Sequence, residues 1–190
     1  MRYGLLGRLE LSHDGRAIEV AGAKQRALLA VLLLNANRVV SSDALIEALW
    51  EDRAPDTAVK ALHVHVSQLR KLLGADRVET RSPGYLLRVE DGELDLDRFE
   101  DLVTRARASD PEKAAATFRE ALALWRGPPL ADFASSRFAQ TEIARLDESR
   151  LRAVEDRIDA ELALGGHRGL VASSTPSSPR IRFASVYAVS

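Results

Sequence analysis

Residues 57–74, TAVKALHVHVSQLRKLLG, fit two different secondary structures, and the choice between them decides the fold. As a strand, the segment would place His63 and His65 on one side of a sheet, at a spacing that could bind a metal ion. The strand-like alternation ends at Gln68–Leu69, whereas apolar residues recur at helical intervals of four, three and four. These are Leu62, Val66, Leu69 and Leu73. We therefore predict a helix over 57–73. Because a helix separates residues two apart by about 200°, His63 and His65 could not bind the same metal ion, and we predict no metal site.

The side of this helix opposite the leucines combines short polar groups, positive charges and a valine. Lys60, Val64, Ser67 and Lys71 lie there, flanked by Thr57, His63 and Gln68. Most polar faces of amphipathic helices are simply solvated. The same groups also suit a DNA major groove, where lysines bind phosphates or guanine, polar side chains reach base edges and an apolar group contacts a thymine methyl. The residues alone leave both interpretations open.

The segments before this helix predict a hairpin and two further helices. YGLLGRLELS, residues 3–12, and the following RAIEV predict two strands joined by a tight turn at Asp14-Gly15. AKQRALLAVLLLNANR predicts a helix over about residues 23–36. A second helix, ALIEALW, has Ser41 or Ser42 as its candidate N-cap.

The segment after residue 74 predicts a hairpin. RVETR and YLLRV flank Ser82-Pro83-Gly84, in which proline and then glycine at the turn centre match a type II turn. A helix followed by a basic hairpin is the layout of a winged helix. Arg81 would then lie near the hairpin tip, either beside a minor groove or phosphate, or in contact with water alone.

From Glu93 the pattern is helical. Asp97 with Glu100 indicates a capped helix start, and Asp110-Pro111 indicates the next. A third helix, from about residue 137, is expected to end at Gly165-Gly166. Its apolar residues are expected to point inward: Ile143, Leu146, Val154, Ile158 and Leu162.

Composition excludes several classes of site. With no cysteine, the chain has no disulfide, thiolate metal ligand or cysteine nucleophile. We find no Walker loop, no His-Glu-x-x-His and no G-x-S-x-G motif, and we expect neither enzyme activity nor a cofactor. The longest apolar run, Ala27–Leu34, is far too short to span a bilayer. We therefore expect a cytoplasmic protein with no membrane partner.

Positive charge is concentrated around the predicted helix and hairpin. Between Lys60 and Arg88 the chain has six Lys/Arg residues against Asp76 and Glu79, although the whole chain has a net charge of −1. A local excess of four positive charges indicates one surface that faces a polyanion.

Three segments together resemble the OmpR-type winged helix-turn-helix, in the form found in the SARP family of actinobacterial antibiotic regulatory proteins. They are KQRALLAVLLLNANRVVSSDALIEALW, VKALHVHVSQLRKLLG and ETRSPGYLL. Three later segments resemble the bacterial transcriptional activator domain that follows it in those regulators. They are ELDLDRFEDLVTRAR, ALALWRGPPLADF and ARLDESRLRAVEDRIDAELALGGH. The resemblance covers about residues 1–170.

The resemblance implies an α+β winged helix over residues 1–92, with an N-terminal antiparallel sheet, three helices and a C-terminal hairpin. An all-α, tetratricopeptide-like helical domain would follow over residues 93–171. Residues 172–190 form a Ser/Pro-rich tail without acidic residues, which we expect to be poorly ordered, with at most a short strand.

The resemblance also implies a function: a sequence-specific, nucleoid-associated transcriptional activator of a biosynthetic gene cluster. It would bind direct repeats in double-stranded promoter DNA as a dimer, with helix 57–73 in the major groove and the wing, residues 77–89, on the minor groove or backbone. The turn Glu51–Pro55, with Glu51, Asp52 and Arg53, would face the RNA polymerase holoenzyme. Carried over by position, the DNA-facing residues are Thr57, Lys60, Val64, Ser67, Gln68, Lys71 and, on the wing, Arg81; His63 joins them as a flank of the polar face.

One alternative remains, a helical-repeat protein-interaction module whose N-terminal part is a scaffold that does not bind DNA. Two departures from the family pattern add expectations. The activator domain is expected to be truncated, since the chain continues into the Ser/Pro tail where further helices are usual. Control by a phosphorylated receiver domain in the same chain is not expected, since the first strand begins at Met1.

Overall fold

The computed structural model describes the backbone of residues 1–173 and side chains through residue 165. The predicted tail therefore lies outside the described residues, apart from its first two positions. Six strands and six helices follow one another along the described chain. The strands are β1 (Arg2–Gly4), β2 (Glu10–His13), β3 (Arg16–Ala17), β4 (Val40–Ser41), β5 (Val78–Arg81) and β6 (Gly84–Leu87). The helices are α1 (Ala23–Leu34), α2 (Ser42–Trp50), α3 (Ala58–Leu73), α4 (Asp95–Arg107), α5 (Pro111–Ala123) and α6 (Arg137–Ser173).

The N-terminal sheet has the order β1-β2-β3, and both pairings are antiparallel. Asp14 and Gly15 take φ values of 49° and 77°, so both turn residues are left-handed and the predicted tight turn is confirmed. The prediction of one strand over residues 3–12 is wrong, because the chain leaves the sheet after Gly4 and returns at Glu10.

Helices α1, α2 and α3 form the core of the winged-helix part, residues 1–89. Helix α1 buries leucines on several sides: Leu28, Leu29, Leu32 and Leu33. The Ser41 hydroxyl accepts a 3.1 Å hydrogen bond from the Ala44 N–H and caps α2, as predicted. Gly74, with φ 104°, ends α3 at the predicted position.

The second sheet, β4-β6-β5, contains the wing hairpin, which consists of β5 and β6. Its hairpin is confirmed, but the type II turn is not: the Ser82-Pro83 peptide bond is cis, and Pro83 is at the third turn position. Gly84 is packed so closely against β4 that a Cβ atom there would overlap the Val40 carbonyl oxygen. Only glycine fits this strand pairing.

The helical part, residues 94–173, packs α5 against both α4 and α6. Trp125 and Phe133 are buried at its helix–loop corner, and the Trp125 ring meets Phe99 edge-on at 5.2 Å between centroids. Asp110 caps α5 through the Lys113 N–H, as predicted. The predicted Asp97–Glu100 cap is wrong, because α4 begins earlier, at Asp95, without a side-chain cap.

Helix α6 differs from the prediction in two ways. It does not end at Gly165-Gly166, since the backbone stays helical to Ser173. Ile158 and Leu162 do not point inward, since they are 43% and 67% exposed, and with Leu151 they form an apolar stripe on the outer side. Leu146 is buried, and α6 packs inward mainly through small and aliphatic side chains nearer its start.

The two parts meet at residues 5–9, the segment that leaves the first sheet. The buried Asp95 carboxylate accepts hydrogen bonds from the Leu5 and Leu6 N–H groups, at 2.8 and 3.1 Å. Arg126 donates to the same carboxylate at 2.7 Å and forms an ion pair with Glu10 at 2.5 Å. Buried N–H groups and carboxylates are costly to leave without hydrogen bonds. Because the Leu5 and Leu6 N–H groups donate to Asp95 and not to a neighbouring strand, the strand is interrupted here.

A second carboxylate, that of Asp132, closes the junction from the other side. It accepts a 2.8 Å hydrogen bond from the Leu9 N–H and pairs with Arg8 and Arg26, at 3.0 and 2.5 Å. Burial by itself would raise the pKa of Asp132, but these hydrogen bonds and charges outweigh it and hold the pKa below its ordinary value.

Candidate nucleic-acid interface

Helix α3 has one buried and one exposed side. The buried side consists of Ala58, Leu62, Val66, Leu69 and Leu73, all less than 9% exposed. This confirms the helix and overturns the strand interpretation of the two histidines. The α3 exposed face consists of Thr57, just before the helix, and Lys60, His63, Val64, Ser67, Gln68 and Lys71. All seven residues predicted on this side are solvent-exposed.

The geometry of the α3 exposed face follows from helical periodicity. At about 100° per residue, Lys60, Val64 and Lys71 lie almost directly opposite the centre of the buried stripe. Val64 is 54% exposed, although a valine would ordinarily be buried. Val59, in the first turn of α3, is 52% exposed as well, so this region has a second exposed valine.

The two lysines of this face have no ion-pair partner in the part of the chain whose side chains the structure describes. Among the described residues, neither Lys60 nor Lys71 lies within salt-bridge distance of a carboxylate. Arg70, one residue before Lys71, has a different role. Its guanidinium donates to the Val78 carbonyl oxygen at 2.8 Å and to the Thr80 hydroxyl at 2.7 Å, which ties the wing to α3. No local pattern predicts this contact, apart from the position of Arg70 at the edge of the leucine side.

Arg81 lies at the wing tip and is 58% exposed, as expected, but it has a partner. Its guanidinium pairs with Glu79 at 2.8 Å, and Arg88 pairs with the other oxygen of the same carboxylate. Hydrogen bonds from Arg81 and Arg88 lower the pKa of Glu79. The wing therefore carries one net positive charge across these three side chains.

The two histidines of α3 have different surroundings. His63 is exposed, whereas His65 is partly buried with its ring centroid 6.2 Å from that of Trp50. Within the part of the chain that the structure describes, no group of three His, Cys, Asp or Glu residues could hold a metal ion.

The turn between α2 and α3 contacts the helical part. Glu51, Asp52 and Arg53 form an exposed single 3-10 turn. The Glu51 carboxylate accepts a hydrogen bond from the Arg137 N–H at 3.1 Å, and the Asp52 carboxylate pairs with the Arg137 guanidinium at 2.6 Å. Arg137 of α6 therefore binds the turn that the resemblance assigns to polymerase. The sequence did not indicate this contact.

The fold and this surface define a class of protein, a winged helix-turn-helix joined to a helical domain. Two family models match in that order: "Transcriptional regulatory protein, C terminal" over residues 15–87, and "Bacterial transcriptional activator domain" over residues 94–177.

Similar proteins identify the family. "Regulatory protein DnrI" of Streptomyces peucetius is 34% identical over 186 residues, which cover 90% of this chain and 68% of DnrI. "Transcriptional regulatory protein EmbR" of Mycobacterium tuberculosis is 38% identical over 180 residues, covering 90% of this chain and 46% of EmbR. The chain belongs to the SARP family of transcriptional regulators and contains the DNA-binding domain of that family.

A solved structure agrees with the fold. M. tuberculosis EmbR, solved in complex with a low-affinity phosphopeptide, superposes with a TM-score of 0.84 at 36% identity, covering 90% of this chain and 48% of that one. The chain thus spans about half the length of EmbR. Within residues 1–173, no helix is long and apolar enough to cross a membrane.

Proposed function

We propose that this protein binds promoter DNA sequence-specifically, with α3 in the major groove and the wing, residues 77–89, on the minor groove or backbone. Residues 1–92 form the DNA-binding domain in this proposal, and residues 93–171 the activator domain. The observation that carries it is the α3 exposed face, which presents two lysines with no ion-pair partner through residue 165, beside polar side chains and an exposed valine. A face of this composition matches both the charge and the edge chemistry of a major groove.

The residues of this face divide by chemistry. Lys60 and Lys71 supply charge to phosphates or guanine edges, while Ser67 and Gln68 hydrogen-bond to base edges. Val64 supplies an apolar contact to a thymine methyl group. Thr57 and His63 flank this centre and contact the backbone beside it.

Arg81 acts from the wing. Its pairing with Glu79 costs little to exchange, because both groups are near solvent and surface ion pairs contribute at most about 1 kcal/mol. A DNA phosphate or a narrow minor groove would replace Glu79 as its partner. The pair also holds the Arg81 side chain in place at the wing tip before DNA arrives.

The role in transcription follows from the family. Tandem binding to direct repeats as a dimer, recruitment of RNA polymerase through Glu51, Asp52 and Arg53, and activation of a biosynthetic gene cluster are the functions that the resemblance supports. Transcription in vitro from a bound promoter tests the activating role. Less transcript with the protein than without it would overturn activation while leaving DNA binding intact.

Selection of oligonucleotides from a random pool with the full chain, followed by gel-shift titration, tests the DNA-binding proposal. We expect enrichment of a short sequence repeated in the same orientation. Lys60→Ala and Lys71→Ala should each weaken binding. Each should also reduce the slope of log affinity against log salt concentration by about 0.9 per lost phosphate contact. Lys113→Ala is the matched control, because Lys113 is an exposed lysine on α5 that pairs with Asp110.

Substitution of Ser67 or Gln68 should change the selected sequence more than the total affinity. Unaltered affinity in both lysine variants would contradict the assignment of this face to DNA.

A protein-interaction role without DNA binding is the second candidate, favoured by the apolar stripe of Leu151, Ile158 and Leu162 on the outer side of α6. It predicts no sequence enrichment from the random pool and no retention on duplex DNA at physiological salt.

A further inference from the structure

The turn after α2 contains a conformation that its own residues do not favour. Glu51 follows the last residue of α2 and takes φ 52° and ψ −129°. Glycine adopts this region readily, whereas other residues rarely do. Such a conformation persists only where surrounding contacts fix it. The contacts that fix Glu51 therefore bear on how the chain enters α3.

The Glu51 N–H donates to the Glu47 carbonyl oxygen within α2, and the further contact comes from one residue of the helical part. Arg137 is the first residue of α6, and its backbone N–H donates to the Glu51 carboxylate at 3.1 Å. The N-terminal N–H groups of a helix have no partner within the helix, and the helix dipole favours a carboxylate there. Glu51 thus caps a helix that begins 86 residues later in the chain.

The next residue, Asp52, binds the guanidinium group of Arg137. The Asp52 carboxylate oxygens accept hydrogen bonds from both terminal guanidinium nitrogens, at 2.6 and 3.3 Å. Paired hydrogen bonds of this kind fix the relative orientation of the two groups as well as their distance. Two consecutive acidic residues of the turn are thereby fastened to one residue of α6.

The first turn of α3 has few restraints of its own. Thr57 occupies its N-cap position but makes no side-chain capping bond, and the segment is anchored locally by the Ala58 N–H to the Pro55 carbonyl oxygen at 2.8 Å. Lys60 lies in this first turn. The path from α6 through Asp52 to this end of α3 is therefore only a few residues long.

We propose that Arg137 is a positioning residue for DNA recognition: by holding Glu51 and Asp52, it fixes the turn from which the first turn of α3 enters the groove. The proposal rests on the proposed DNA-binding function of α3. It makes the activator domain a contributor to DNA affinity without any contact between that domain and DNA.

The test measures DNA affinity and backbone amide exchange on the full chain. Arg137→Ala keeps the backbone N–H that Glu51 caps but removes the guanidinium hydrogen bonds to Asp52. We expect about fivefold weaker binding to the selected oligonucleotide, the size of effect that loss of one cap or surface charge pair gives. We also expect faster amide exchange confined to residues 51–58.

Arg145→Ala is the matched control, since Arg145 is an exposed arginine of α6 whose partners, Glu100 and Glu142, both lie in the helical part. It removes the same charge and should leave both readouts within twofold of the original chain. The exchanged pair Asp52→Arg with Arg137→Asp should restore the exchange rates of residues 51–58, whereas Arg137→Asp alone should not.

Equal affinity and equal exchange in Arg137→Ala would overturn the proposal. If Lys60→Ala and Lys71→Ala weaken binding while Arg137→Ala does not, only this inference fails. If none of the three variants weakens binding, the proposed function of α3 fails as well.

Discussion

Gly4 shows how a single missing side chain permits the two parts of the chain to pack together. The Arg126 guanidinium lies against the backbone of Gly4 while it donates to Asp95 at 2.7 Å. Any Cβ at position 4 would overlap its terminal nitrogen and lie 2.8 Å from its central carbon. A side chain at position 4 would therefore displace Arg126, a residue more than 120 positions away in the sequence.

We predict that Gly4→Ala lowers the free energy of unfolding by about 1–3 kcal/mol, because Arg126 must withdraw and leave the buried Asp95 carboxylate short of a partner. Urea unfolding at neutral pH measures this change. Gly127→Ala is the matched control, since no heavy atom lies within 4 Å of a Cβ there, and it should change stability by less than about 0.5 kcal/mol. Equal effects of the two substitutions would show that the Arg126 contact is not a constraint.

At the scale of elements, local sequence predicted what local physics determines. The tight turn at Asp14-Gly15, the Ser41 and Asp110 caps and the leucine stripe of α3 depend on neighbours within a few residues, and all were predictable. The seven residues of the α3 exposed face were predictable for the same reason, since helical periodicity alone separates them from the leucines.

The errors arise where distant residues decide. Residues 5–9 have strand-like composition, but the N–H groups of Leu5, Leu6 and Leu9 donate to Asp95 and Asp132, which no local pattern reveals. Gly165 was expected to end α6, yet it keeps a helical backbone instead of the left-handed conformation of a helix end. At the candidate site, the same reasoning explains why the Arg70 contact to the wing and the Arg137 contact to Glu51 were missed.

Two valines on α3 allow a matched test of its sidedness. Val66 is 1% exposed and Val64 is 54% exposed, two residues apart on the same helix. We predict that Val66→Ala lowers the free energy of unfolding by about 2 kcal/mol, through lost burial and the cavity left behind. Val64→Ala should leave stability within about 0.5 kcal/mol. Urea denaturation of both variants checks this, and a larger loss for Val64→Ala would invert the assigned faces.

At the scale of the whole molecule, the junction between the winged-helix and helical parts combines an apolar core, to which both parts contribute, with charged and polar groups. Asp95 and Asp132 reach from the helical part to backbone N–H groups of the N-terminal segment, and Asp132 also pairs with Arg8 and Arg26. Such a junction is specific in geometry, because each carboxylate requires particular donors in particular directions. It also makes the packing of the two parts sensitive to pH.

The sign of that dependence follows from Asp132, whose pKa is held below its ordinary value in the folded chain. A lowered pKa contributes stability that is complete above the unfolded-state pKa of about 3.9 and is lost as pH falls through the lower, folded-state pKa. We predict that stability falls on acidification below about pH 4, and that Asp132→Asn falls less steeply over the same range. Urea unfolding at intervals from pH 6 to pH 3 compares the slopes, and identical slopes would exclude a contribution from Asp132.

The Gly4–Asp95–Arg126 contact also restricts how these regulators can be recombined. A chimera that takes its DNA-recognising half from one relative and its activating half from another inherits the glycine from the first parent and the aspartate and arginine from the second. If either parent has other residues at these positions, the hybrid loses this contact between its two parts, even when each part folds. Engineers who exchange promoter specificity in this family would do well to transplant these three positions together.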